Sequence, residues 1–176
     1  MTFFADISDY KDLTDLLPIV TAVIVVEWTF IFFCRWFLKE KNINAWYTKF
    51  GMTAFLSDVT ILIIGLLLAR YFYKTFFTQW NITSYTLLSV GIQVIHDVIY
   101  YLGFILPTPL GQNAIMDTMK TYAADVGGMA ILGDSYLISA SALLASYLKS
   151  LPQHVIWFVL VVSAYMLPYA IYERPA

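Results

Sequence analysis

Five ionisable residues, Glu27, Asp58, His96, Asp97 and Asp134, fall inside stretches otherwise apolar enough to cross a bilayer. An aspartate at the centre of a spanning helix costs about 2.5 to 3.5 kcal/mol on insertion, so each must face protein or water rather than lipid. Their types suit three kinds of chemistry. Protonated acids can be shared between neighbouring helices as a hydrogen-bond network. Acids in series with a histidine can carry protons or ions. Two aspartates can form an acid–base dyad for hydrolysis. No cofactor or metal is expected, because one cysteine, Cys34, and two histidines are poor ligand material and no Gly-rich phosphate loop is present.

The elements that must position these groups are spanning helices. The chain is 60% hydrophobic, 18% aromatic and only 12% charged, against roughly 25% charged in an ordinary soluble domain. The net charge of −2 leaves no basic footprint for nucleic acid. A span needs about 20 mostly apolar residues, and five segments qualify: 18–38, 51–73, 82–106, 127–148 and 152–172. Pro18 suits a helix start, Pro107 and Pro109 end the third span, and Pro168 would kink the fifth. The first span should act as an uncleaved insertion signal, since the residues before it are acidic rather than basic. The expected class is all-α, a multi-pass bundle of about five spans with one or two amphipathic helices. Six Lys and Arg on one side (Arg35, Lys39, Lys41, Lys49, Lys120, Arg174) against four on the other (Lys11, Arg70, Lys74, Lys149) place the C-terminus in the cytoplasm.

Two segments outside the spans have helical spacing. In residues 1–17, Phe3, Ile7, Tyr10, Leu13 and Leu17 recur opposite a set of aspartates, which suits either an interfacial helix or a solvated tail. In residues 113–125, Asn113 can cap a helix with the stripe Ile115, Met119, Tyr122 and Val126, leaving Asp117 and Lys120 on the opposite face for partner contacts. Trp36, Trp46, Tyr47, Tyr71, Tyr73, Trp80, Tyr169 and Tyr172 read as interface belts.

Helical spacing also indicates which way the polar groups face. Ala54, Asp58, Gly65 and Ala69 share one stripe of the second span. Gly127, Ala130, Asp134, Ser141 and Ala145 share one of the fourth. Small residues let helix backbones approach, so these faces should meet other helices. Ser89, Gln93, His96, Asp97, Tyr100 and Tyr101 form a broad polar face on the third span, where His96 can reach Tyr100 and Asp97 can reach Tyr101. Glu27 has no partner in its own helix, which points to His96 or a hydroxyl from another span. The two halves display no evident repeat, which argues against an inverted-repeat transporter.

Two resemblances follow from these residues. Leu132-Gly133-Asp134 resembles part of the Gly-x-Gly-Asp signature of intramembrane aspartyl proteases, but position 131 is Ile and no Pro-Ala-Leu motif is present. The elements His96-Asp97, Pro107 to Gly111, Asp117 to Tyr122 and Gly133-Asp134-Ser135 resemble a group of uncharacterised multi-pass membrane proteins of large DNA viruses of algae and protists. That resemblance implies a structural or assembly role in a membrane beneath a viral capsid. Partners would then be the bilayer, capsid or other membrane proteins, and further copies of the chain. The group has no established activity to carry over, and no enzymatic role is expected. The alternatives are a small oligomeric proton or ion channel using Asp58, His96, Asp97 and Asp134, and an intramembrane hydrolase.

Overall fold

The computed structural model describes residues 3–173; Arg174, counted above for topology, lies outside them. Seven α-helices follow in order: α1 (Leu16–Trp36), α2 (Lys41–Phe50), α3 (Met52–Phe76), α4 (Ile82–Tyr100), α5 (Ala114–Val126), α6 (Met129–Lys149) and α7 (Gln153–Tyr172). A 3-10 turn, Leu13–Asp15, leads into α1, and a π-helical turn, Tyr101–Ile105, extends α4. Five stretches are long and apolar enough to cross a membrane: Leu13–Trp36, Met52–Phe76, Ile82–Ile105, Met129–Lys149 and Gln153–Tyr172. The protein is thus a multi-pass helical bundle, as its composition requires, and α7 runs through Pro168 as one helix.

Four spans form a ring: α1 packs on α3 and α6, and α4 packs on the same two helices from the opposite corner. The fifth span, α7, lies against α1 outside the ring. The small-residue stripes turn inward as their spacing predicts, with Ala54, Ala69, Ser141 and Ala145 all at 0% exposure. A Cβ on Gly65 would stand only 2.9 Å from Ile138 Cδ1, so glycine there lets α3 and α6 approach.

The connections α1–α3 and α4–α6 each carry a short helix across the same end of the bundle. Glu40 caps α2 by accepting the Ile43 N–H at 2.6 Å. Asn113 caps α5 by accepting the N–H groups of Ile115 and Met116 at 2.9 and 3.2 Å. Each short helix then turns into the next span through a glycine in nearly the same conformation, Gly51 (φ 52, ψ −125) and Gly127 (φ 56, ψ −138). Residues with a Cβ avoid that region.

This symmetry uncovers a repeat that the sequence halves do not advertise. Gly51-x-x-Ala54-x-Leu56-x-Asp58 matches Gly127-x-x-Ala130-x-Leu132-x-Asp134. Leu67-Leu68-Ala69-x-Tyr71 matches Leu143-Leu144-Ala145-x-Tyr147 in the same register. The unit is span, capping helix, glycine, span, and its two copies run the same way through the bundle. The repeat is parallel rather than inverted.

The N-terminal segment takes neither form expected of it. From residue 3 to residue 12 it is not helical, because Asp6, Asp9 and Asp12 each turn back to accept the N–H two residues on, at 2.8, 3.0 and 3.0 Å. Such Asx turns compete directly with a helix. Nor is it a solvated tail. Ala5 exchanges hydrogen bonds with Ser146 on α6, its N–H at 3.1 Å from the Ser146 carbonyl and its carbonyl at 2.6 Å from Ser146 Oγ. Ile7 is wholly buried. The segment is a strap across the end opposite α2 and α5.

Candidate functional site: a carboxyl cluster beneath the capping helices

The four intramembrane acids come from four different spans and sit in the half of the bundle nearer the capping helices: Glu27 on α1, Asp58 on α3, Asp97 on α4 and Asp134 on α6. The Asp134 carboxyl lies within electrostatic range of both Asp58 and Asp97, and Glu27 within range of Asp58 and Asp134. The structure therefore brings the acids predicted from sequence into one interior region.

The residue that joins two of them is Tyr47, at 2% exposure. Its Oη lies 2.8 Å from Glu27 Oε1 and 2.6 Å from Asp58 Oδ2. Trp46 donates its indole N–H to the same Asp58 oxygen at 3.0 Å. The partner of Glu27 is thus a hydroxyl, but it comes from the connecting helix α2 and not from another span, and it is not His96. Trp46 and Tyr47, expected at a lipid interface, instead point into the bundle. The available signal is the run Ile43, Trp46, Tyr47 and Phe50 at helical spacing between the Glu40 cap and Gly51.

On α4, Asp97 Oδ1 accepts from Gln93 Nε2 at 2.8 Å and lies 3.1 Å from His96 Nδ1. Asp97 turns one helical turn back toward Gln93, so it does not pair with Tyr101, which opens the π-helical turn and is exposed. His96 and Tyr100 do meet, as rings stacked 5.6 Å apart at 14°. The Tyr100 hydroxyl reaches Met116 Sδ on α5 at 3.9 Å. Several polar atoms in the interior have no protein partner: Glu27 Oε2, Gln93 Oε1, Asp97 Oδ2 and Ser141 Oγ. Gln93 Oε1 lies over Gly65, 3.6 Å from where a Cβ would be.

Asp117 and Lys120 are spent within the chain. Asp117 accepts the Gly111 N–H at 3.1 Å, and Lys120 Nζ donates to the Leu106 carbonyl at 2.9 Å, so together they hold the loop that follows α4. The hydroxyl of Tyr122 on α5 is pushed up to about 12 by burial and then by nearby acids, Asp134 first among them. Tyr122 precedes Asp134 by the same interval as Trp46 precedes Asp58.

Arg35 and Arg70, which the sequence offers only as charges for topology, are structural. Arg35, 2% exposed, donates to the Ala170 carbonyl at 2.9 Å, to the Ile171 carbonyl, and to Asn44 Oδ1 at 3.1 Å. Arg70, 1% exposed, pairs with Asp15 at 3.0 Å and donates to the Asp12 carbonyl at 2.7 Å and to the Asp9 carbonyl. Lys149 completes this group against Asp15 and, at 3.5 Å, Asp12. A basic residue in the last turn of a span was the sequence signal for Arg35; Arg70 lies further back in α3, whose last turn carries Lys74.

The arrangement suits proton sharing better than a hydrolytic dyad. Among the described residues, no three of His, Cys, Asp and Glu converge as metal ligands. A hydrolytic dyad needs two carboxyls sharing one proton directly, whereas Asp97 bonds to Gln93 and His96. No protein-family model, curated protein or solved structure matches this chain.

Proposed function

We propose that the protein is a structural, non-enzymatic membrane component that assembles with other proteins through the end formed by α2 and α5. The observation that carries this reading is the platform those two helices make. Lys49 on α2 donates to Thr118 Oγ1 on α5 at 2.8 Å, and Lys41 lies 3.9 Å from Asp125. Beneath them, Trp46 and Tyr47 fasten α2 to the spans. A polar surface locked to a bundle in this way suits docking of a soluble layer. Placement in a virion membrane beneath a capsid extends the reading and rests on the resemblance in the third and fourth spans. The acids of the N-terminal strap, paired with Arg70, Lys74 and Lys149, are less suited to partner contacts than the platform.

Mass spectrometry of purified particles tests the role. The protein is expected as an abundant component, and its absence would overturn the virion reading. Ala45→Glu and Ala124→Glu, both at exposed platform positions, should leave folding and insertion intact while lowering incorporation. Undiminished incorporation would overturn the docking surface. Proton or cation flux in liposomes that is lost in Asp97→Asn or Asp134→Asn would replace this reading with that of a channel.

A further inference from the structure

Tyr47 has one hydroxyl proton and stands within hydrogen-bond distance of two carboxyl oxygens, 2.8 Å from Glu27 and 2.6 Å from Asp58. A phenol donates one hydrogen bond and can accept another. Both contacts can be hydrogen bonds only if Tyr47 donates to one carboxyl and the other carboxyl, carrying a proton, donates to Tyr47. Which acid holds the proton follows from the remaining contacts. Asp58 Oδ2 also receives the Trp46 N–H at 3.0 Å, as an anion should. Glu27 is 2% exposed and its Oε2 has no protein partner. An ionised Glu27 would leave a bare charged oxygen in the interior, a penalty of several kcal/mol per ion.

We propose that Glu27, Tyr47 and Asp58 form a proton-binding and proton-transfer site, with the proton resting on Glu27 and Tyr47 as its bridge to Asp58. Transfer breaks the Glu27 O–H bond and the Tyr47 O–H bond. It forms a new Tyr47 O–H bond with the proton from Glu27, and an Asp58 O–H bond with the proton from Tyr47. The negative charge moves from Asp58 to Glu27, and no other reactant is required. The other ionisable groups facing Glu27 include Asp134 from α6 and Cys34 from α1, while Asp97 from α4 and Tyr122 from α5 face Asp134. The second repeat has no such bridge, because Ala123 stands where Tyr47 stands in the first.

The test is infrared spectroscopy of the full chain in lipid nanodiscs at pH 7, following the carbonyl band of a protonated carboxyl. Glu27→Gln keeps a donor for Tyr47 and should fold. Subtracting its spectrum from that of the wild type should isolate one protonated carboxyl. Asp58→Asn should retain that band. Loss of the band in Asp58→Asn with retention in Glu27→Gln would put the proton on the wrong acid and overturn the assignment, as would an unchanged spectrum in Glu27→Gln. Tyr47→Phe should keep the band at a shifted frequency. After a jump to alkaline pH, it should slow loss of the Glu27 proton by about 100-fold, the lower end of what a positioned proton-transfer group contributes. An unchanged rate would overturn the bridge.

Discussion

Arg35 donates to the carbonyl of Ala170 across 2.9 Å, which ties the end of the first span to the end of the last. The final carbonyls of a helix have no intrahelical donor and carry the negative end of its dipole, so a buried guanidinium there is doubly favoured. Arg35→Gln should destabilise the protein by about 2 kcal/mol, the scale of a hydrogen bond to a charged group. Arg35→Lys should rescue little, because a single ammonium cannot serve both the two carbonyls that Nη1 reaches and Asn44 Oδ1, which takes the Nε–H. Thermal unfolding in detergent measures the loss. Increased proteolysis near Tyr172 locates it, and a variant that melts like the wild type would count against this role.

At the opposite end, Asp15 is the only carboxylate fully buried against both Arg70 and Lys149 among the pairs described. Removing one partner of a buried ion pair strands the other and costs about 3 to 5 kcal/mol. Asp15→Asn should therefore lower the melting temperature far more than Asp12→Asn, whose carboxylate is partly exposed. Equal shifts for the two variants would show that burial does not set the cost.

The strap should also respond to acid. The Asp9 carboxyl is held below its usual value of 3.8 by the Lys11 N–H first and by Lys74 second. Asp12 is held below the same value chiefly by the hydroxyl and N–H of Thr14. A folded-state value below the unfolded one contributes stability above the unfolded value and loses it as pH falls through the folded one. Strap stability should be constant near neutral pH and fall below about pH 4. The double variant Asp9→Asn, Asp12→Asn should remove most of that slope. Melting curves across this range check it, and a slope unaffected by the double variant would contradict the assignment.

Gly51 and Gly127 share a backbone conformation but not a neighbourhood. A Cβ on Gly51 would lie 3.0 Å from the Tyr172 ring, whereas one on Gly127 meets nothing within 4 Å. Gly127→Ala should cost about 1 to 3 kcal/mol for backbone strain alone. Gly51→Ala should cost more, and Tyr172→Leu should remove the excess without removing the strain. Unfolding measurements on the wild type, Gly51→Ala, Tyr172→Leu and the double variant form a complete cycle.

The spans were legible because bilayer thickness imposes a length and a composition that few other constraints can mimic. The inward faces of α3 and α6 were legible from small residues and one acid at helical spacing. The α2 helix was not, because it is short and evenly polar and apolar, and an aromatic pair beside a span reads equally well as an interface belt. What separates the readings is tertiary: Glu27 and Asp58 both need a donor, and Trp46 and Tyr47 supply it. The strap was misread because its aspartates and apolar residues alternate at helical intervals, while the Asx turns depend on each aspartate's own short range. The repeat escaped because only α3 and α6 preserve it. The stripes Ala54, Asp58, Gly65, Ala69 and Ala130, Asp134, Ser141, Ala145 correspond position for position, while α1 and α4 share no such pattern.

The parallel repeat has a consequence for how such a chain arises. A hairpin of two spans returns to the side it started from, so a second copy fused behind it inserts in the same sense without any change in flanking charge. Duplication of a single hairpin would therefore yield the α1–α3 and α4–α6 units at once as a fused pair of like subunits. Only α7, the odd span, falls outside the two units.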